Sequence, residues 1–464
     1  MSLEVVILAA GEGKRMHSGK PKVLHALAGR PMVQHVLECA YSLKPAKIHL
    51  VLGHLQEQVI KAMEGFPREI RDTVTTCTQE QQLGTGHAVM QAMPSVSPDS
   101  SVLILYGDTP LVQVDDLKAL IGALDREGTA LSLLCAVCDN PFGYGRIIRD
   151  GQGRIVQIVE QKDASEEQRK IREINTGMMC ARAGVLNKYL PQLKNANAQN
   201  EYYLTDLVGL LVHDGLGVEG ISARDFNDTL GVNDKQQLAT VERLYQQKQA
   251  RDLMARGVTL ADPARFDLRG TVETGKDVFI DVNVIIQGHV KLGNNVRIGA
   301  GCVIIDSEIG DNSEISPYSI VEKSRLKQHN TIGPFARLRP GNVLEDEVHV
   351  GNFVEVKNTQ MGYGTKSGHL SYLGDSVIGK DVNIGAGTIT CNYDGANKFQ
   401  TIIGDNVFVG SDTQLVAPVE VKQGVTIGAG TTVTRKIKHN ENDLIITRAP
   451  AKALGNFVRP TKKK

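Results

Sequence analysis

Two different spacings of hydrophobic residues divide the sequence into two halves. Up to about residue 235, short apolar runs alternate with stretches of helical spacing, whereas aliphatic residues beyond it recur every six positions. Continuous apolar strands are typical of parallel sheets buried on both faces, so the first half predicts a mostly parallel α/β sheet. The predicted strands are EVVILAA, KIHLVLG, SVLILYGD and ALSLLCAVC, and the predicted helices include MVQHVLECAYSL and LGHLQEQVIKAM.

One long amphipathic segment separates the two halves. Leu238, Val241, Leu244 and Tyr245 recur at helical spacing within residues 235–257, with charged residues elsewhere in the segment. At 1.5 Å per residue such a helix is roughly 33 Å long, enough to hold two domains apart. The pattern predicts a first domain, a linker helix and a second domain at residues 1–235, 236–256 and 257–464.

The second half repeats with a period of six residues. Valines stand at 272, 278, 284, 290 and 296, and units such as LGNNV, IGAGC, IGPFA, VGNFV and IGDNV recur. A fixed short period is typical of a solenoid, and six residues suit one flat face of a three-sided coil with one aliphatic side chain inward. The pattern predicts a β-helix with 18-residue coils, as from Ile332 to Val350 and from Val409 to Ile427.

Two stretches interrupt this period. The separation of Val350 from Ile378 is not a multiple of six, and that of Ile384 from Ile403 exceeds one whole coil by a single position. Extra residues in a solenoid must bulge outward as loops, and loops on a rigid scaffold often carry function. We therefore expect inserted loops at GHLSYLGD and at CNYDGANKF.

The first predicted strand ends in a glycine-rich turn, LAAGEGKRM, a pattern typical of phosphate-binding loops. A dinucleotide fingerprint would need glycine where Met16 stands, and a Walker loop would need Ser or Thr where Arg15 stands. Two interpretations remain open. In one, the loop serves nucleotidyl transfer, and its amides wrap a triphosphate while Arg15 and Lys22 neutralise the reacting phosphorus. In the other, it is an ordinary strand-to-helix turn with solvated cations.

Composition narrows the functional classes. Lys and Arg total 52, and so do Asp and Glu, which gives no indication of bulk nucleic-acid or membrane-surface binding. The chain shows neither a signal peptide nor an apolar run long enough to span a bilayer, so we expect a cytoplasmic protein. Cys135 and Cys138 lie inside an apolar run, which predicts buried strand thiols rather than a zinc site or a redox pair.

Motifs along essentially the whole chain resemble those of one family. LAAGEGKRM, PKVLH, EQQLGTGHA, YGDTPL, GYGRI, EINTG, FARLRPG, GHLSYLGD and NIGAGTITCNYDGANK match, in order, motifs of the bacterial bifunctional N-acetylglucosamine-1-phosphate uridyltransferases/glucosamine-1-phosphate acetyltransferases. The opening loop departs from the family at Glu12, where a cation is common, and at Lys14, where Thr or Ser is common.

The resemblance implies a fold and two activities. The fold would be a Rossmann-like nucleotidyltransferase sheet followed by a left-handed parallel β-helix, assembled as a homotrimer. The enzyme would transfer acetyl from acetyl-coenzyme A to glucosamine 1-phosphate, then uridylyl from UTP to N-acetylglucosamine 1-phosphate. The product would supply peptidoglycan and lipopolysaccharide synthesis. These partners are small molecules, and neither nucleic-acid binding nor membrane insertion is expected.

For the first domain, the resemblance assigns catalytic roles to two cations and a metal role to two oxygen donors. Arg15 would face the β- and γ-phosphates of UTP and Lys22 the α-phosphate, where negative charge accumulates during transfer. Asp108 and Asn233 would hold Mg²⁺, which prefers oxygen ligands, although Asp108 in Gly-Asp-Thr-Pro also has the composition of a plain turn. The predicted nucleotide and sugar contacts are Leu8, Ala9, Ala10, Gly11, Lys22, Gln79, Gly84, Thr85, Tyr106, Gly107, Asp108, Gly145, Glu160, Asn175 and Asn233.

For the second domain, the resemblance makes His369 the base that takes a proton from the substrate amine, a role that suits a group titrating near pH 6.5. A lone surface histidine would carry no such role, but His369 shares a predicted inserted loop with Tyr372. The tail Lys462–Lys464 is interpreted as solvated, though it could attract the cofactor's phosphates. The predicted sugar-phosphate contacts are Arg339, Lys357, Tyr372, Asn383, Asn392 and Lys398, and the predicted acetyl-coenzyme A contacts are Ala386, Asn392, Tyr393, Ser411, Ala429 and Arg448.

Two other functions are weighed against this one. The first is a single-activity sugar-nucleotide pyrophosphorylase whose β-helix serves assembly only, which the length of the solenoid and its two predicted loops argue against. The second is a scaffold with a vestigial nucleotide fold, which the set Arg15, Lys22, Asp108 and Asn233 argues against.

Overall fold

The structure is a computed structural model that describes residues 2–448, 453, 455 and 459. The lysine tail Lys462–Lys464 lies outside these residues. Within the described part of the chain, none of the helices combines the length and the apolar character needed to cross a lipid bilayer.

Contacts divide the chain into two units, Met1–Tyr245 and Gln246–Lys464. The long helix Lys235–Ala255 crosses this boundary. Val241, near its start, is buried in a small core of the first unit together with Leu27 and other apolar side chains. The helix therefore begins as part of the first unit's core.

The first unit is built on a mixed, mostly parallel sheet, as predicted. All four predicted strands form, and Glu173–Arg182 runs antiparallel to both of its neighbours. Gly145–Arg149 and Ile155–Val159 extend the sheet as an antiparallel pair. The strands of the main path are, in spatial order, Gly217–Ser222, Thr129–Val137, Glu173–Arg182, Ser101–Tyr106, Leu3–Leu8, Lys47–Leu52 and Val74–Thr78.

Both faces of this sheet are covered, which explains its continuous apolar strands. Val5 and Ile7 point into one core, and Val6 and Leu8 point into the other. Because successive side chains of a strand alternate between faces, a strand buried on both sides needs apolar residues at every position. The helices of this unit are Met32–Ser42, Gln56–Met63, Arg68–Arg71, Thr85–Ala92, Val114–Gly122, Glu166–Arg169, Ala183–Tyr189, Asp206–His213 and the start of Lys235–Ala255.

The predicted buried thiols are confirmed. Cys135 lies in strand Thr129–Val137, Cys138 follows that strand, and both side chains are buried. Burial raises the pKa of Cys135 to about 12, so its thiol stays protonated at neutral pH.

The second unit is a parallel coil with the predicted hexapeptide period, consistent with a left-handed β-helix. Ile332 pairs with Val350 and Val409 pairs with Ile427, so these coils have the length that the sequence predicts. The valines at 272, 278, 284, 290 and 296 all point inward and are at most 5% exposed.

The three faces of the coil form two parallel sheets. One face is the sheet Thr259–Leu260, Phe279–Ile280, Arg297–Ile298, Glu314–Ile315, Thr331–Ile332, His349–Asn352, Lys366–His369, Asn383–Ile384, Phe408–Val409, Thr426–Ile427 and Leu444–Ile445. The other two faces comprise Phe266–Thr274, Val284–Leu292, Val303–Ile305, Glu308–Ile309, Ile320–Glu322, Arg325–Leu326, Arg337–Leu338, Val343–Leu344, Glu355–Lys357, Gln360–Met361, Tyr372–Gly374, Ser376–Ile378, Ile389–Cys391, Thr401–Ile403, Gln414–Val416, Val419–Val421 and Thr432–Thr434.

The expectation of an inserted loop at GHLSYLGD is wrong. Val350 pairs with Ser367 and Met361 pairs with Ile378, so the coil continues there, with each turn shorter than the regular coil by a single position. Ser367 is fully buried at an inward position that aliphatic residues usually occupy. A polar residue at an inward position and two shortened faces made a continuous coil look like an insertion.

The second expected loop is confirmed. Ile378 pairs with Ile403, which lies well beyond the length of a regular coil along the chain. The extra residues form a loop that closes where the amide of Phe399 donates to the carbonyl of Asn392 at 2.8 Å. We call residues 392–399 the coil loop.

Candidate active sites

A cavity of about 300 Å³ opens at the carboxyl edge of the first sheet. Strands Leu3–Leu8, Val74–Thr78 and Ser101–Tyr106 all end at this edge, because they run parallel to one another or to a shared neighbour. The lining residues are Leu8, Ala9, Ala10, Gly11, Lys22, Val23, Gln79, Gln82, Gly84, Thr85, Ala88, Tyr106, Asp108 and Glu201.

The opening loop fits closely around Lys22. Gly13 adopts a left-handed conformation with φ of 65°, and a Cβ added there would lie 2.8 Å from the Cβ of Lys22. Any larger residue would therefore push Lys22 out of position as well as strain the backbone. The structure therefore explains why position 13 of this loop is a glycine.

Lys22 binds both predicted metal ligands. Its Nζ forms an ion pair with Oδ2 of Asp108 and donates a hydrogen bond of 3.1 Å to Oδ1 of Asn233. The Lys22 and Asp108 side chains are 14% and 16% exposed, so this pair is shielded from bulk water. The structure brings together three residues that are far apart along the chain.

The same pair of oxygens suits a magnesium ion. Oxygen atoms of Asp108 and Asn233 converge on a single cationic atom, the Lys22 ammonium nitrogen. Mg²⁺ is commonly held by one or two carboxylates together with water and substrate phosphates. No cluster of three or more His, Cys, Asp or Glu side chains that could hold a metal occurs among the described residues. The donor set therefore fits a Mg²⁺ that arrives with a phosphate ligand.

Another part of the lining, formed by Gln79, Gln82, Gly84 and Thr85, is fixed by close contacts. The buried Gln79 amide donates to the carbonyl of Gly84 at 3.1 Å. A Cβ added at Gly84 would lie 2.7 Å from the carbonyl oxygen of Tyr202, so glycine is required there. Thr85 begins helix Thr85–Ala92 and hydrogen-bonds with Tyr106, whose pKa is raised by burial.

The three predicted sugar contacts cluster beside this cavity. Gly145 and Asn175 are partners in the strand ladder, and a Cβ added at Gly145 would lie 3.2 Å from Oε1 of Glu160. Burial raises the pKa of Glu160 above its ordinary value. The hydroxyl of Thr205, which donates to Oε1 at 3.1 Å, offsets part of this increase. A Cβ added at Gly177 would lie 2.7 Å from the Tyr106 ring, so the strand that carries Asn175 packs against a residue that lines the cavity.

Arg15 is not brought into the cavity. It lies on the short turn Lys14–Met16, where Met16 is buried and Arg15 is exposed. Glu12 and Lys14, where the opening loop differs from the motif that it resembles, form a surface ion pair at 2.6 Å. The predicted role of Arg15 toward the β- and γ-phosphates stays a prediction.

Several residues that line the cavity were not among the contacts predicted from the sequence. Val23, Gln82 and Ala88 stand beside recognised motif residues, and their positions within PKVLH and EQQLGTGHA could have indicated them. Glu201 comes from a different segment, NEYYLTD, and only the fold brings it to Gly84. Gly107, which was predicted, is not one of the lining residues; its amide donates to the carbonyl of Leu8 at 2.9 Å.

In the β-helix, three of the six predicted sugar-phosphate residues, Lys357, Asn392 and Lys398, lie around Asp375. Asp375 accepts hydrogen bonds from Asn358 at 2.7 Å and Asn392 at 2.5 Å, and pairs with Lys357 at 3.8 Å. Burial would raise the pKa of Asp375, but these hydrogen bonds, with the charges of Lys357 and Lys398, lower it. The sequence did not single out Asp375.

Two lysines, Lys357 and Lys398, share the single carboxylate of Asp375, which leaves one positive charge in excess. Lys357 lies close enough to Lys398 to lower its pKa. Arg339 donates to Glu355 at 2.9 Å, and Tyr372 is the ladder neighbour of Glu355. Neighbouring ammonium groups are stabilised by an added anion, so the cluster suits a phosphate.

His369 and the predicted acetyl-coenzyme A residues share one edge of the coil. His369 ends strand Lys366–His369 and is exposed. The amide after Ala386 donates to the carbonyl of Leu370, the amide after Ser411 to that of Ala386, and the amide after Ala429 to that of Ser411. These residues therefore stack one coil above another, which suits an extended ligand.

Three other predicted contacts lie around this edge. Arg448 donates to the carbonyl of Ala429 at 3.3 Å, so its guanidinium lies at the far end of the stack. Tyr393 is in the coil loop and is exposed. Asn383 is on the same face as His369, as the ladder neighbour of Lys366.

Three family models match separate parts of the chain. A MobA-like NTP transferase domain matches residues 5–186. A GMPPB C-terminal domain matches residues 268–361, and the bacterial transferase hexapeptide (six repeats) matches residues 400–435. The first match covers Lys22 and Asp108, whereas His369 and the coil loop fall between the other two.

The chain is therefore a transferase in which a nucleotidyltransferase domain is followed by a hexapeptide-repeat β-helix. The three matches together fit the architecture of the bifunctional uridyltransferase/acetyltransferase family that the sequence motifs resemble.

Proposed function

We propose that this enzyme makes UDP-N-acetylglucosamine in two steps: acetyl transfer to glucosamine 1-phosphate, then uridylyl transfer to the N-acetylated product. The observation that carries the proposal is the presence, on one chain, of two separate groups in which lysines lie beside carboxylate and amide side chains. One is the Lys22–Asp108–Asn233 group at the nucleotide cavity. The other is the lysine cluster around Asp375 beside the His369 edge.

In the uridylyl step, a phosphate oxygen of the sugar attacks the α-phosphorus of UTP, and pyrophosphate leaves. Phosphates are already ionised, so the reaction needs charge stabilisation more than a base. Lys22 reaches the cavity that the triphosphate would occupy, and Gly11 has open space where a side chain would otherwise stand. Arg15, exposed on the adjoining turn, would meet the departing phosphates.

Magnesium is proposed to bind at Asp108 and Asn233, whose oxygens now contact Lys22. When bound, the ion neutralises charge on the phosphates. Lys22 would then exchange its contact with Asp108 for one with the α-phosphate, which leaves the carboxylate available to the metal.

In the acetyl step, the amine of glucosamine 1-phosphate attacks the thioester carbon of acetyl-coenzyme A and the thiolate leaves. The amine must lose a proton, and His369 is the proposed acceptor. The cations around Asp375 would hold the sugar's phosphate. The small residues Ala386, Ser411 and Ala429 would let the pantetheine arm lie along the backbone, with Arg448 meeting a phosphate at its end.

A homotrimer is part of the proposal, because hexapeptide β-helices often assemble in threes. The alternative, a single-activity pyrophosphorylase with an assembly-only β-helix, would leave the charge cluster at Asp375 without a ligand.

The test is incubation of the full chain with acetyl-coenzyme A, glucosamine 1-phosphate, UTP and Mg²⁺. Thiol release from acetyl-coenzyme A should require glucosamine 1-phosphate but not UTP. The sugar nucleotide should form only when UTP is also present, and TTP should replace UTP poorly. The single-activity alternative predicts a different result. The chain would form the sugar nucleotide from N-acetylglucosamine 1-phosphate and UTP, but it would release no thiol from acetyl-coenzyme A.

A further inference from the structure

Lys22 is followed by a tight hairpin with an unusual turn. Strands Ala26–Leu27 and Arg30–Pro31 pair across Ala28 and Gly29, which both have positive φ, of 48° and 81°. A left-handed conformation is ordinary for glycine but costs free energy for alanine. Such backbone strain persists only where the surrounding structure fixes it.

A carboxylate from the long helix fixes this turn. Oε2 of Glu242 accepts a hydrogen bond of 2.7 Å from the backbone amide of Ala28, whose side chain is buried. Leu27, the residue before, packs in the same small core as Val241 of the helix. The turn is therefore held to the helix by a charged hydrogen bond beside an apolar contact.

The other side of the hairpin is held at the next turn of the helix. Arg30 donates a hydrogen bond of 3.2 Å to the hydroxyl of Tyr245 in this helix, and two more, of 2.9 and 2.7 Å, to the carboxylate of Glu38 in helix Met32–Ser42. Both hairpin strands are thus bound to a helix whose sequence pattern predicted only a spacer.

The same helix also fixes the residue that Lys22 contacts. The amide of Asn233 donates to Oε1 of Gln237 at 2.7 Å, and Gln237 lies in the first turn of the helix. Lys22 in turn donates to Asn233 at 3.1 Å. The helix therefore holds Asn233 directly and the Lys22 segment through the hairpin.

We propose that Glu242 is a positioning residue for nucleotidyl transfer: by holding the Ala28 turn, it sets Lys22 at the reacting phosphate relative to Asn233. The inference rests on the nucleotidyl-transfer half of the proposed function. It extends the transferase site into the helix as far as Tyr245, well beyond the boundary that the sequence pattern predicts.

The test compares Glu242→Ala and Glu242→Gln in the full chain. Glutamine keeps an oxygen that can accept from Ala28, so Glu242→Gln should stay within about threefold of the unmodified rate. Glu242→Ala should lower kcat for nucleotidyl transfer by about 10- to 100-fold, the range expected for loss of a charged hydrogen bond. Gln236→Ala, at an exposed position of the same helix, is the matched control and should change nothing.

A second comparison separates positioning from general loosening of the fold. If Glu242 acts through Lys22, Glu242→Ala should add no further loss in a Lys22→Ala background. An equal loss in both backgrounds, or a Glu242→Gln variant as slow as Glu242→Ala, would overturn the proposal. Each rate is divided by that of the unmodified chain, measured with the nucleoside triphosphate that this chain uses best. The comparison therefore remains valid even if that triphosphate is not UTP.

Discussion

The nucleotide cavity and the β-helix cluster gather their residues in different ways. Lys22, Asp108 and Asn233 are separated by up to 211 residues, and only the sheet topology brings them together. In contrast, Lys357, Asp375 and Asn392 stand on neighbouring coils, 17 residues apart in the last case. A parallel sheet collects distant loops at one edge, whereas a solenoid stacks neighbours in register.

The difference has a consequence for tolerance to change. In the sheet, each site residue depends on its own loop, and a Cβ added at Gly13 or Gly84 would lie 2.8 or 2.7 Å from a neighbouring atom. In the β-helix, the scaffold repeats, so a residue changed on one coil leaves the other coils in place. Substitutions at the two sites should therefore affect separate activities.

The largest effect is expected at His369. If His369 is the base, His369→Ala should lower acetyl transfer by a factor on the order of 10² to 10⁴ while sparing uridylyl transfer. Raising the pH should partly restore the variant, because the substrate amine then loses its proton without help. Arg339→Ala should instead weaken sugar binding with no recovery at high pH. Near-normal acetyl turnover of His369→Ala at neutral pH would remove the base assignment.

Asp108 offers the reciprocal test in the first unit. Asp108→Ala should reduce uridylyl transfer by a factor on the order of 10² to 10³ through loss of a proposed metal ligand, and leave acetyl transfer unchanged. Asp108→Asn keeps an oxygen without its charge and should be less damaging. The measurement is uridylyl turnover against Mg²⁺ concentration. Unchanged turnover of the alanine variant would reduce Asp108 to a turn residue.

The β-helix and the sheet also differ in how much of each could be predicted from the sequence. The six-residue period predicts the β-helix because each coil repeats one physical requirement, an aliphatic side chain pointing inward. The period also led to the wrong prediction that His369 lies on an inserted loop. The reason is that Ser367 occupies an inward position although it is polar, so the repeat is not visible there. In the first unit the strands were predictable from their apolar runs. Glu201 and Glu242 were not, since their contacts depend on packing between distant segments that no local pattern encodes.

The first unit should lose stability in acid. Burial, with the Arg30 charge in second place, lowers the pKa of His35 in the first unit from 6.5 to about 4. Between these values the unfolded chain binds a proton that the folded chain does not. The free energy of unfolding therefore falls as pH falls through this window, by on the order of 3 kcal/mol in all, and is fully retained above it.

Replacing this histidine should remove that share of the acid sensitivity. His35 donates from Nε2 to the carbonyl of Leu27 at 2.9 Å, and a glutamine amide offers a similar donor without titrating. Chemical denaturation of the unmodified chain and of His35→Gln between pH 4 and pH 7 gives the comparison. An equally steep pH dependence in both proteins would show that other groups cause it.

The smallest effect is expected inside the coil, at Ser367. Its Oγ is buried and has no hydrogen-bond partner among the described residues. An unsatisfied buried hydroxyl costs about 1 kcal/mol or more, so Ser367→Ala should stabilise the β-helix and raise its Tm by about 2–4 °C. Ser307 is a matched control, because its buried hydroxyl donates to the carbonyl of Ile305 at 2.7 Å, and Ser307→Ala should destabilise. If calorimetry shows that Ser367→Ala lowers Tm as much as Ser307→Ala, the inward position at 367 requires its hydroxyl and is not a substitute for an aliphatic residue.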